Sequence, residues 1–181
     1  MKAELINQVI KERGYKSYLE IGTQSGVNFR DVKCGEKLGV DPDPLATGLD
    51  MTSDEFFAQT ENTYDIIFID GLHEAEQVVR DMHNSLRVLN AGGCIVLHDT
   101  IPQSEAMQLV PRQQRVWTGD VYKAVVGFLK NNPQVDYYTH RADWGLTFIF
   151  PTGEIINTFE VSDISYQEFK QNEVKLLNII D

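Results

Sequence analysis

The stretch Tyr18–Gly26, "YLEIGTQSG", decides the fold: a compact apolar run with a glutamate inside it, then two glycines separated by three residues. A glycine directly after a strand lets the chain turn sharply, and a second one four positions later removes a side chain where a ligand can approach the backbone. This run is the first of four. "SYLEIG", "KLGVD", "YDIIFIDG" and "GCIVLHDT" alternate with stretches of helical period, the pattern of a parallel sheet wrapped by helices. Each run closes around a Gly or Asp, which gathers small and acidic residues at the carboxyl ends of the strands, where open α/β sheets bind ligands. The expected fold class is therefore α/β: a Rossmann-like, doubly wound, mostly parallel sheet with a C-terminal antiparallel hairpin.

Working outward, Ala75, Val78, Val79, Met82, Leu86 and Leu89 recur at three- and four-residue steps and predict an amphipathic helix that "NAGG" ends. Val121, Ala124, Val125, Phe128 and Leu129 predict a second helix, stopped before Pro133. "VDYYTH" and "WGLTFIF" read as the closing hairpin. Leu5, Ile6, Val9 and Ile10 share one face of a packing helix over 3–13. In the tail, 152–181, Ser165 and Glu168 stand at capping-box spacing before a helix expected over 166–180, part of the same domain. The segment "IPQSEAMQLVPRQQRVWTG" is a long loop placed to cover a pocket at the sheet's ligand edge.

A chain of 181 residues suits one domain. With 16 Lys and Arg against 27 Asp and Glu, its net charge of −11 opposes nucleic acid and anionic lipid, which carry the same sign. No apolar run approaches the roughly 20 residues that cross a bilayer, and the N-terminus lacks a signal-like segment. Cys34 and Cys94 have no partner at metal-ligand or redox spacing and read as buried, reduced thiols. A cytoplasmic protein with a small-molecule partner is the expectation, with oligomeric state open.

Gly22-x-x-x-Gly26 lacks the extra glycine of the dinucleotide fingerprint G-x-G-x-x-G, and no phosphate-cradling G-x-x-x-x-G-K-[ST] occurs. Nineteen positions after Gly22, Asp41 ends the second strand. A carboxylate there can accept hydrogen bonds from vicinal ribose hydroxyls. The alternative reading is a turn aspartate favoured by Pro42.

Glu20, "GTQSG", Asp41, "DIIFIDG" and then "IDGLHEAEQVVRDMHNSLRVLNAGGCIVLHDT" together resemble class I S-adenosylmethionine-dependent methyltransferases, of the "IDG-x-H…HDT" kind that modifies small molecules and sugars. The resemblance runs from about Tyr15 to Thr100, with looser matches in "WTGDVYKAV" and "DWGLTFIF", and makes 1–151 the methyltransferase domain. It implies that Glu20, Gly22, Thr23 and Gly26 lie against the methionine part of the cofactor, that Asp41 holds its ribose and that Asp70 sits beside them. Adenine contacts would come from Asp50, Met51 or Ser53. The activity implied is methyl transfer to a small molecule, foremost at a hydroxyl.

Asp70, His73, His98 and Asp99 form the candidate catalytic set, because Asp70 and Asp99 end neighbouring strands and converge beside the sulfonium methyl. A positioned His or Asp can take the acceptor's proton. In related O-methyltransferases, carboxylates at such strand ends hold a divalent ion, and here Asp70 and Asp99 with His98 or His73 are the corresponding metal set, for Mg²⁺ or a softer divalent cation. His73 has a second reading as a helix cap and His98 as a buried polar residue. His83 and His140 read as structural, and Asp143 and Trp144 as packing. Arg112, Arg115 and Trp117 in the covering loop are the candidate acceptor contacts, suited to an anionic or sugar-like group. The rival functions are an NAD-dependent oxidoreductase or epimerase, disfavoured by the missing glycine, and a non-catalytic cofactor-binding module.

Overall fold

The computed structural model describes residues 1–180. Strands β1 (Ser17–Ile21), β2 (Glu36–Asp41), β3 (Leu49–Asp50), β4 (Tyr64–Ile69), β5 (Leu89–His98), β6 (Asp136–His140), β7 (Leu146–Phe150) and β8 (Ile179–Ile180) interleave with helices α1 (Lys2–Arg13), α2 (Val27–Asp31), α3 (Ser53–Gln59), α4 (Ala75–Val88), α5 (Glu105–Gln108), α6 (Val121–Asn131) and α7 (Tyr166–Leu176). They build one sheet of order β3-β2-β1-β4-β5-β7-β6-β8. From β3 to β5 all pairs are parallel, whereas β7 runs antiparallel between β5 and β6. This is the doubly wound sheet with a terminal hairpin that the run pattern predicts.

Strand alternation sorts the side chains between two layers. Leu19, Ile21, Ile67, Ile69 and Ile95 face one layer with Phe57, Met82, Val125 and Phe128 from the helices α3, α4 and α6. Tyr18, Ile66, Phe68, Val96 and Phe148 face the other, covered by Ile6, Val9 and Ile10 of α1. Burying both faces explains why the central strands read as continuous apolar runs.

Four features differ from the sequence expectation. α4 ends at Val88, and "NAGG" lies inside β5, where Leu89 already pairs with Tyr64 before the register shifts. The C-terminal helix stops at Leu176 instead of running to 180: Asn178 adopts a left-handed φ of 45°, and Ile179–Ile180 turn back to pair with β6. The covering loop contains the short helix α5. Cys94 is buried, but Cys34 is only half-buried, at the chain's entry into β2.

Candidate active site

Gly22 leaves β1 at φ 86°, and a Cβ placed there would lie 2.1 Å from the Asp70 carbonyl oxygen. The glycine is therefore demanded by the packing of two strand ends, β1 and β4, against one another. That close approach opens a cavity of about 880 Å³ across the carboxyl edge of the sheet, within the range of small-molecule sites. Gly22 and Gln24 line one wall, Asp41, Pro42 and Asp43 the end of β2, and Asp70, Gly71 and His73 the end of β4. His98 and Asp99 close the β5 side, while Arg112, Arg115 and Trp117 overhang from the covering loop.

At the β2 end, Asp41 accepts hydrogen bonds from the backbone N–H of Gln24 at 2.8 Å and of Asp43 at 2.9 Å, one on each oxygen. Each oxygen keeps a lone pair for a ligand. The third strand, indistinct in the sequence, is the two-residue β3. It delivers Thr52, Ser53 and Asp54 to the cavity at the start of α3, fixed by a capping box in which the Glu55 backbone N–H donates to the Thr52 hydroxyl at 3.2 Å. Ser53 thus reaches the wall, whereas Asp50 and Met51 do not line it.

The β4 and β5 ends bring Asp70, His73, His98 and Asp99 together. His98 Nδ1 lies 2.9 Å from Asp70 Oδ1, and His73 Nε2 lies 3.2 Å from the same oxygen. His73 therefore does not cap α4; the backbone N–H of Ala75 donates to Asp120 Oδ1 at 2.8 Å, so the start of α6 pins the start of α4. His73 Nδ1 is 3.1 Å from Asp99 Oδ2 but makes no hydrogen bond. Asp99 holds a left-handed φ of 59°, a conformation uncommon outside glycine and found where a site fixes the backbone. Trp117 stacks on the His73 ring with centroids 5.5 Å apart, and Gly119 passes so close to the His73 carbonyl that no side chain would fit there.

Two residues that were given no site role from the sequence join this cluster. Lys2, on the first turn of α1, donates from Nζ to Asp70 Oδ2 at 2.9 Å. Asp143, expected to pack, lies with Oδ2 3.5 Å from His98 Nε2 and 4.0 Å from Lys2 Nζ. It reaches them because Asp143 and Trp144 are both left-handed, at φ 53° and 61°, and Trp144 lines the cavity. The signal for Lys2 was present in the sequence: it precedes Ile6 by four positions and so shares the inward face of α1.

The charges interlock. Burial works against a charged His98, but Asp70, Asp143 and Asp99 outweigh it and push its pKa up to about 11. His98 is thus a cation at neutral pH. Burial would likewise raise Asp70, yet His98, His73 and Lys2 hold it well below the ordinary carboxylate range. His73 is raised by Asp70 and Asp99 against the effect of burial. Asp70, His73 and Asp99 can each bring one ligand atom within 4.8 Å of the others, so this trio has the reach and the mixed oxygen and nitrogen donors to hold a divalent cation. His98 spends Nδ1 on Asp70 instead.

The glycine loop divides differently. Gly22 lines the cavity, but the Thr23 hydroxyl is turned to the Thr47 carbonyl, and a Cβ on Gly26 would meet the Thr47 side chain at 2.2 Å. Glu20 faces the α1 side of the sheet with Tyr18, whose hydroxyl donates to it, and Asn28 donates to the same oxygen at 3.0 Å. In the loop, Arg112 donates to the Gln114 carbonyl at 2.8 Å and lies 5.8 Å over the Trp117 ring. His83 is structural in its contacts, stacked on Phe159 and bonded to the Phe159 carbonyl.

Residues 41–100 match the family model described as "Methyltransferase domain". The match spans Asp41, Asp70, His73, His98 and Asp99 and begins after the glycine loop. Three solved structures share the architecture. A Klebsiella pneumoniae protein proposed to be an O-methyltransferase superposes with a TM-score of 0.65 at 14% identity, covering 84% of this chain and 80% of that one. The Bacillus cereus O-methyltransferase in complex with SAH gives 0.60 at 13%, over 83% and 80%. The SAH-bound methyltransferase of Podospora anserina gives 0.60 at 16%, over 84% and 78%. No curated protein matches the chain. The chain thus shares its fold with these solved structures, and the segment carrying the clustered acids and histidines is the part that matches the methyltransferase-domain model.

Proposed function

We propose that this protein is an S-adenosylmethionine-dependent methyltransferase acting on a hydroxyl of a small molecule. The observation that carries the proposal is a single cavity that runs from the ribose-type carboxylate, Asp41, past Gly22 to a cluster of acids and histidines at the next two strand ends. Carboxylates suit a cofactor whose sulfonium is a cation, and the cluster supplies them where the methyl group would lie. Arg112, Arg115 and Trp117 roof the acceptor side and offer a guanidinium and an aromatic face to an anionic or sugar-like acceptor.

In the step itself, an acceptor oxygen attacks the S-methyl carbon, the carbon–sulfur bond breaks, and its electron pair stays on sulfur as S-adenosylhomocysteine. The hydroxyl proton goes to His73. His73 lies between Asp70 and Asp99, whose carboxylates favour the imidazolium that results. His98 cannot serve, because it is already protonated at neutral pH; it and Lys2 instead favour the developing oxyanion.

A second reading has support in the reach of Asp70, His73 and Asp99 toward one point. A divalent ion held by them would supply Lewis-acid lowering of the hydroxyl pKa, and His73 would then serve as a ligand instead of a base. Isothermal titration with S-adenosylhomocysteine tests the common core of both readings. Binding in the micromolar range is expected; no heat at high micromolar ligand, with NAD binding in its place, would sink them.

A further inference from the structure

Lys2 stands apart from the other cations of this acidic chain. Its side chain is 22% exposed, Nζ lies 2.9 Å from Asp70 and 4.0 Å from Asp143, and Nζ stands over the Phe68 ring, 5.8 Å from its centroid. It lines the same cavity as His73, His98 and Asp99. Three carboxylates, Asp70, Asp99 and Asp143, converge here, and a site so acidic needs positive charge to be stable. Lys2 and His98 supply it from opposite sides, each on its own oxygen of Asp70.

We propose that Lys2 is a tethered cation of this site: its ammonium does the charge-neutralising work at Asp70 that a divalent ion would otherwise supply, and any such ion must compete with it for that carboxylate. The proposal rests on reading the cluster as the acceptor site. It makes Lys2 a positioning residue, which holds the Asp70 carboxylate so that Oδ1 is presented to His73 and His98. It also links α1 to the chemistry, since the lysine is carried on the helix whose Ile6, Val9 and Ile10 are packed against the sheet. The ammonium is therefore delivered by a rigid element, not by a loop.

The test is Mn²⁺ alone, titrated into the full chain and followed by the free-ion electron paramagnetic resonance signal, for the wild type, Lys2→Met and Lys2→Arg. Weak binding is expected for the wild type and Lys2→Arg. Lys2→Met should bind one Mn²⁺ per chain at least tenfold more tightly, because Asp70 loses its resident partner. A structural role alone would not raise ion affinity. Low-micromolar, one-for-one binding by the wild type overturns the proposal without reference to any variant, so misfolding of Lys2→Met does not shelter it. Equal affinity in wild type and folded Lys2→Met overturns it too. S-adenosylhomocysteine titration on the same samples separates this outcome from failure of the methyltransferase reading, because the Mn²⁺ measurement involves no cofactor.

Discussion

Gly22 and Asp70 are packed backbone against backbone: a Cβ on Gly22 would fall 2.1 Å from the Asp70 carbonyl oxygen, and the Asp70 N–H donates to the carbonyl of the preceding Ile21 at 2.8 Å. The first glycine of the loop thus sets where the central carboxylate of the site stands. Gly22→Ala must push β1 and β4 apart at their ends and also places alanine at φ 86°. Backbone strain of this kind costs about 1–3 kcal/mol. The variant is expected to lose that stability in urea unfolding and to bind S-adenosylhomocysteine at least tenfold more weakly. Unchanged affinity in a folded variant would mean that Gly22 serves only the turn.

That relationship marks how far the sequence could be read. The glycines, Asp41 and the "IDGLH" turn were legible because strand ends carry their own punctuation, and the structure brings Asp41, Asp70, His73, His98 and Asp99 to one cavity. Lys2 carries no motif in the sequence, and Asp143 reads there as packing. Lys2 belongs to a helix whose apolar periodicity advertises packing, and its polar contact lies 68 positions away. Asp143 depends on two successive left-handed residues, which no period encodes. The two-residue β3 is too short to leave a pattern, and its position emerges only from pairing Val40 with Leu49 and Asp41 with Asp50.

Asp41→Asn tests the ribose assignment. The amide keeps one acceptor oxygen but gives up the charge and half of the acceptor capacity, while the turn to Gln24 loses a charge-assisted bond. Hydrogen bonds to a charged group contribute about 1.5–3 kcal/mol, so S-adenosylhomocysteine affinity should fall by roughly ten- to a hundredfold. Methionine alone, which lacks the ribose, should bind both proteins equally. A matched loss for methionine would show that the substitution distorts the whole cavity.

Trp117 fixes the covering loop through its indole N–H, which donates to the Leu109 carbonyl at 2.7 Å, and through its stack on His73. Trp117→Ala removes both contacts. The loop should then be cut faster by protease between positions 101 and 119, whereas Trp117→Phe, which keeps the stack, should fall between the two. Cofactor affinity should change little, since Gly22, Asp41 and Asp70 stay in place. Equal protease sensitivity of the wild type and the alanine variant would remove Trp117 as the anchor of the roof.

Glu20 gives a pH-dependent prediction with a definite sign. The residue is 1% exposed, and burial drives the carboxyl pKa from 4.5 up to about 7, helped by the nearby Asp70 and opposed by hydrogen bonds from Tyr18 and Asn28 and by the charge of Lys2. Between about pH 4.5 and 7 the folded protein holds a proton that the unfolded chain has released. The corresponding stability is full below about pH 4.5 and is lost as the pH rises through about 7, amounting to about 3 kcal/mol at most. Glu20→Gln carries no such proton, so it should be more stable than wild type at pH 8, by about 1–3 kcal/mol, and gain little or nothing at pH 5. Urea unfolding at the two pH values measures this, and an equal difference at both would exclude a buried titrating carboxyl. Because Glu20 does not line the cavity and its carboxyl is held by Tyr18 and Asn28, the same variant should bind S-adenosylhomocysteine within threefold of wild type; a tenfold loss would instead restore the contact with the methionine end that the family resemblance implies.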